Sequence, residues 1–189
     1  MRSLKSLMVP FLGITLAAQL GFGQSAPTWS SEVQLTNLGT SQDSGLAASG
    51  TNVYFATGNP DSLLATNLST DEGTSSLGTF SLATPASMYP EQPMVADGSN
   101  VYATYFKNFR TVTDFFGPRI VGDIYLRRSS DGRNWTSEQQ LTTAHISNSS
   151  GNAIFPQPAV SQNYVHVIWR DDRTTSGNMQ IWYRRGLIP

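Results

Sequence analysis

One stretch of eight residues in this chain is written twice, almost residue for residue. Trp29-Ser30-Ser31-Glu32-Val33-Gln34-Leu35-Thr36 recurs as Trp135-Thr136-Ser137-Glu138-Gln139-Gln140-Leu141-Thr142, with Trp, Ser, Glu, Gln, Leu and Thr in one register. Such self-similarity constrains a fold more than composition does, because a repeated unit buries its apolar face by stacking on its neighbours. Around the repeat, short runs of β-branched and aromatic residues alternate with Gly, Asn, Asp, Ser and Pro, and no window keeps helical apolar spacing.

Three copies of one strand triplet emerge. Leu46-Ala47-Ala48, Pro93-Met94-Val95 and Pro158-Ala159-Val160 each lead through a small or polar turn into residues 52–56, 101–106 and 164–169. The turns are Ser49-Gly50-Thr51, Asp97-Gly98-Ser99 and Ser161-Gln162-Asn163. A third strand is expected at 63–67, 123–128 and 180–185, and a fourth at Phe80-Ser81-Leu82 and Gln140-Leu141. Val53 and Val101 lie 48 residues apart and Val101 and Val165 lie 64 apart, the excess falling in an insertion at 107–122. Several strands in each period of this length mark the blades of a β-propeller.

Arg2 and Lys5 precede an apolar run over 7–22, broken by Pro10 and closed by Gly21-Phe22-Gly23. This reads as a signal peptide over 1–23, with 24–189 as the mature, secreted or periplasmic chain; a retained anchor helix is the alternative. The mature length suits one domain with a sizeable core. Twelve Lys and Arg against 13 Asp and Glu, in a chain only 13% charged, favour neither nucleic acid nor an anionic membrane surface as partner. The run is too short and interrupted for a stable membrane span. With no cysteine, disulfides, Cys-ligated zinc and a thiol nucleophile are excluded. His145 and His166 are too few for a metal triad, and neither a Gly-rich phosphate loop before a helix nor a Gly-x-Ser-x-Gly elbow is present. No metal and no cofactor are expected, and His166 reads as a satisfied core or pore residue.

Ser69-x-Asp71-x-Gly73 is similar to the Asp-box, Ser-x-Asp-x-Gly-x-x-Trp, of the BNR-repeat, sialidase-like β-propellers. Ser129-Ser130-Asp131-Gly132-Arg133-Asn134-Trp135 resembles its variant shorter by one residue. Val167-Ile168-Trp169-Arg170-Asp171-Asp172-Arg173, followed by Gln180-Ile181-Trp182-Tyr183-Arg184-Arg185, also resembles a strand pair of that family. In the first box Ser76 stands where the family carries Trp. The resemblance implies an all-β chain of about three four-stranded antiparallel blades, half of a six-bladed sialidase-like ring. In the box, Asp accepts from turn N–H groups, Ser adds a second bond, Gly supplies a positive φ and Trp135 covers the blade edge. Ser69, Asp71, Gly73, Ser129, Asp131, Gly132 and Trp135 are therefore read as scaffold.

A half ring leaves two apolar blade faces uncovered, so two copies are expected to close a six-bladed homodimer, each lending residues 32–36 to the other. A truncated scaffold fragment of a larger propeller is the other reading of the same bare edges. Functional loops gather at one mouth, over 58–61, 107–122, 170–178, 36–44, 83–92 and 142–156. Sialidase-like enzymes bind a carboxylated sugar through arginines and use a tyrosine nucleophile with acidic partners. The resemblance thus implies Arg110, Arg119, Arg170, Asp171 and Arg173 as ligand-binding candidates, and Tyr89, Glu91 and Asp114 as catalytic ones. The family's Arg-Ile-Pro segment has no counterpart in 30–50, and Asp171 and Arg173 also suit a loop-capping ion pair. Phe115 and Phe116, with Phe106 and Phe109, interleave with cations in the insertion and suit stacking on a sugar or self-packing. The expected role is non-catalytic binding of a glycan or a cell-surface partner, with a two-chain exo-sialidase as the alternative.

Overall fold

The computed structural model describes residues 43–58, 64–69, 78–83, 86, 93–114, 117–142, 152–172 and 179–188. All described secondary structure is β, in three antiparallel sheets. The first sheet holds β1 (Asp43–Ser49), β2 (Asn52–Gly58), β3 (Leu64–Ser69) and β4 (Thr79–Ala83) in chain order. The second holds β5 (Met94–Asp97), β6 (Asn100–Asp114), β7 (Gly117–Ser129) and β8 (Gln139–Gln140), again in chain order. β9 (Ala153–Ser161), β10 (Tyr164–Asp171) and β11 (Gln180–Leu187) form the third. The three triplets and both fourth strands of the sequence reading fall on these elements. No helix of the described residues is long and apolar enough to cross a membrane.

Each sheet is a meander because each strand meets the next through a short turn. Ser49 pairs with Asn52, Asp97 with Asn100 and Ser161 with Tyr164, so each first hairpin closes on two residues. The first loop residue is left-handed in all three: Gly50 at φ 59°, Gly98 at φ 58° and Gln162 at φ 43°. Glycine takes that conformation without strain, whereas a side chain with a Cβ does not. The first two hairpins are also tied together, Gly98 N donating to Ser49 Oγ at 2.8 Å and Tyr54 Oη to Ser99 O at 3.0 Å.

Strand alternation builds the core. Val101, Ala103 and Tyr105 of β6 join Ala47, Tyr54, Ala56 and Leu82 of the first sheet in one buried cluster. The intervening Tyr102 and Phe106 join Ile124 and Leu126 of β7 with Val165, Val167 and Trp169 of β10 in a second. The second sheet is therefore buried on both faces. Thr104, buried between these positions, donates from N and from Oγ1 to Pro93 O, at 2.8 and 3.0 Å.

The insertion at 107–122, expected as a loop, is a strand ribbon. β6 and β7 continue pairing out to Asp114 and Gly117, and the register shifts between Lys107 and Arg110. Arg110-Thr111-Val112-Thr113 and Arg119-Ile120-Val121 are rich in β-branched residues, so each chain can template the other. At this shift a Cβ on Gly122 would lie 2.5 Å from Phe106 Cζ and 2.8 Å from the Lys107 carbonyl oxygen.

Two substitutions of opposite sign test this architecture. Gln162→Gly relieves the left-handed strain and should stabilise the chain by up to about 1 kcal/mol. Gly122→Ala should destabilise it by about 1–3 kcal/mol through overpacking against backbone. Urea denaturation of the two variants checks both, and a stabilising Gly122→Ala would contradict the close approach.

Candidate functional site

The turn after β7 is organised by one carboxylate. Asp131 Oδ1 accepts from the backbone N of Arg133 and of Asn134, each at 2.8 Å, and from Ser129 Oγ at 2.9 Å; Oδ2 accepts from Asn134 Nδ2 at 2.7 Å. Gly132 sits at φ 70° within it. The backbone donation from Asn134 foremost, then that from Arg133, holds the Asp131 carboxyl far below the usual carboxylate range. Trp135 follows and packs against the buried cluster shared by the first two sheets, and the Arg133 guanidinium lies 5.7 Å from the centre of the Phe80 ring. The Asp131 hydrogen bonds shape the turn itself, and Trp135 and Arg133 carry its contacts with the neighbouring sheet.

A different chemistry gathers where β6 and β7 leave the core. Asp123 is buried; its Oδ1 accepts from Thr142 Oγ1 at 3.1 Å and its Oδ2 lies 3.3 Å from Arg110 Nη1. Thr142 Oγ1 in turn accepts from Ile124 N at 3.2 Å. Beside this node Lys107 Nζ bridges both oxygens of Glu138, at 2.7 and 2.6 Å. Arg110 is left with a second amino group, Nη2, that is buried and has no hydrogen-bond partner among the described residues. Burial first, then the neighbouring Glu138 carboxylate, pushes the Tyr105 phenol up; burial, then Asp123 and Glu138, does the same for Tyr125.

The corresponding end of the third sheet is acidic inside and cationic outside. Asp171 is fully buried and accepts from Trp169 Nε1 at 3.3 Å, while Asp172, also buried, accepts from Asn152 N at 2.6 Å. The exposed Arg170 guanidinium lies 5.2 Å from the centre of the Phe155 ring. Phe155 holds a left-handed φ of 56° opposite the register shift between Ile168 and Arg170, a strained β-bulge that aims its ring at Arg170. Phe106, Ile124, Ala153 and Trp169 share one buried cluster, so this end adjoins the Arg110 node.

Of the ligand-binding and catalytic candidates named from the sequence, Arg110, Arg170 and Asp171 are described with their side chains. Asp114 and Arg119 are described as backbone only, Asp114 pairing with Gly117 and Arg119 with Val112; Ser69 likewise ends β3. Tyr89, Glu91, Phe115, Phe116, Arg173, Asp71 and Gly73 lie outside the described residues, as do residues 1–23, both ends of the expected strand lending at 32–36, and the Arg173 side of the expected Asp171–Arg173 pair. His166 is not a core residue: its ring lies half-buried on the outer face of the third sheet, between Ser161 Oγ at 2.6 Å and Tyr183 Oη at 2.8 Å. Alternation puts it there, since Val165 and Val167 take the inner face. The sequence reading missed Asp123, Thr142 and Phe155. Pro156 was the available signal for Phe155, because proline inside a strand marks an edge or a bulge.

The arrangement is suited to binding. Its carboxylates are engaged by Arg110, Thr142, Trp169 and Asn152, and the Arg110 guanidinium keeps a donor without a partner among the described residues. No group of three or more His, Asp or Glu that could hold a metal ion occurs among the described residues. Comparison with protein-family models, with curated proteins and with solved structures finds no match for this chain.

Asp131 gives a signed pH test. Its carboxyl is depressed in the folded chain, so its stabilisation is complete above about pH 4, the ordinary aspartate value, and is lost as pH falls through the lower folded value. Asp131→Asn should cost about 1–2 kcal/mol at pH 7, and the gap to the parent protein should shrink steadily below pH 4. Thermal melts from pH 7 to pH 2 read this, and a gap that stays constant would contradict it.

Proposed function

We propose that this chain is a secreted sector of a sialidase-like, Asp-box β-propeller that binds a glycan or a cell-surface partner without catalysis. Three consecutive antiparallel meanders in a common register, with Asp131 stapling the turn between a third and a fourth strand, support the propeller reading. The outer faces of the first and third sheets support a ring built from two copies. Leu46 is 63% exposed on one, and Ile181, Tyr183 and Leu187 are 68%, 56% and 69% exposed on the other. In a stack whose middle sheet is buried on both sides, such faces call for a further sheet.

The observation that carries the binding role is Arg110. Its Nη1 neutralises the buried Asp123 while its Nη2 has no partner among the described residues, so a carboxylate or hydroxyl of a ligand would complete its fork. Arg170, stacked on Phe155, offers a second planar cation at the adjoining end. A sugar acid presents both the charge and the flat apolar face that such a pair recognises.

Glycan-array binding of the full chain, with a fluorogenic sialoside assayed in parallel, tests this reading. Binding of carboxylated glycans without turnover is the expected result, and Arg110→Ala and Arg170→Ala should each weaken it about tenfold or more, the loss of one charge-assisted bond. Turnover of the sialoside would favour a hydrolase instead. Glycan binding unchanged in both variants, or no binding at all, would overturn the proposed site.

A further inference from the structure

The chain contains two Asp-Gly bonds, Asp97-Gly98 and Asp131-Gly132, and no Asn-Gly bond. At such a bond the following amide nitrogen can attack the side-chain carboxyl, because glycine has no Cβ to block the approach. The glycine nitrogen bonds to the aspartate Cγ while one carboxyl oxygen leaves as water, taking the carboxyl proton and the amide proton. A second water then opens the cyclic imide. Opening at Cγ restores aspartate, whereas opening at the main-chain carbonyl leaves isoaspartate, with the chain rerouted through the side chain and lengthened by a methylene.

The two bonds stand in opposite surroundings. Both oxygens of Asp131 are held, Oδ1 by the N–H groups of Arg133 and Asn134 and by Ser129 Oγ, and Oδ2 by Asn134 Nδ2, so Cγ is not free to turn towards Gly132 N. The same donors keep the carboxyl ionised, and an ionised carboxylate has no hydroxyl to lose. Asp97 has none of this. It is exposed, and its carboxyl makes no hydrogen bond or ion pair among the described residues. A Cβ built on Gly98 would meet no atom within 4 Å, so the space beside this residue is open. One contact stands against the reaction: Gly98 N donates to Ser49 Oγ at 2.8 Å, across to the first sheet. The nitrogen reaches Cγ only when this bond opens. A single exposed bond between neutral groups slows the step by about two- to tenfold and does not prevent it.

We infer that Asp97-Gly98 is a site of isoaspartate formation in the folded chain, that Asp131-Gly132 is not, and that Ser49 sets the rate. The turn it lengthens is a tight one, since Asp97 pairs directly with Asn100. It also carries both ties between the first two hairpins, Gly98 N to Ser49 Oγ and Tyr54 Oη to Ser99 O. An added methylene breaks the register on which those bonds depend, so the modification loosens the seam between the first and second sheets. It does not depend on the binding role proposed above.

The full chain is incubated near neutral pH in water enriched in heavy oxygen, which labels each aspartate that has passed through the imide. The digested peptides are then read by electron-transfer fragmentation, which tells isoaspartate from aspartate. Label and isoaspartate at Asp97, with neither at Asp131, are the expected result, while in concentrated urea the two bonds should react alike. Ser49→Ala should speed the reaction at Asp97 by about two- to tenfold, and Ser49→Thr, which keeps the acceptor oxygen, should leave it at the parent rate. Equal labelling of the two aspartates in the folded chain, no label at Asp97, or a Ser49→Ala rate equal to the parent's would overturn the inference.

Discussion

The rest of the structure depends on β6 burying both of its faces. Val101, Ala103 and Tyr105 point one way and Tyr102 and Phe106 the other, so one strand contributes to two cores. At about 25 cal/mol per Å² of apolar surface removed from water, a strand used twice contributes about twice what a half-buried one does. That matters in a chain with no disulfide and no described helix, where short strands have little else to hold them. It also fixes register, because a slip of one residue would send Tyr105 into the space of Phe106.

Arginines carry that stacking to the sheet edges. Arg127 and Arg184 each reach from a third strand to a carbonyl of the sheet before, while Asp131 closes the turn that brings Trp135 onto the same seam. At the opposite end the polar groups are arranged differently. Asp123, Asp171 and Asp172 are buried and engaged, with Arg110 beside Asp123 and Arg170 stacked on Phe155. The proposed function rests on those two cations.

Much of the fold was legible because its signals are local. The turns at Gly50 and Gly98 and the apolar alternation of 101–106 are readable within a few residues, and the Ser129 to Trp135 motif marks a turn between strands by its own hydrogen-bonding chemistry. What escaped depends on partners distant in sequence. Nothing near Lys107 reveals that it pairs with Asp123, so the ribbon of β6 and β7 read as a loop. Asp123 drew no notice because its value comes from Thr142 and Arg110, and Phe155 because its bulge is set by the register of β10. His166 was misread for a related reason, since period-two alternation gives two faces without saying which is covered.

Native-state amide hydrogen exchange followed by NMR tests the doubly buried strand most directly. The amides of 101–106, with those of 124–126, should exchange slowest in the chain and only through global unfolding, with β11 amides opening earlier because that strand lies at an edge. Fast, local exchange across 101–106, or protection greatest in β11, would contradict the account.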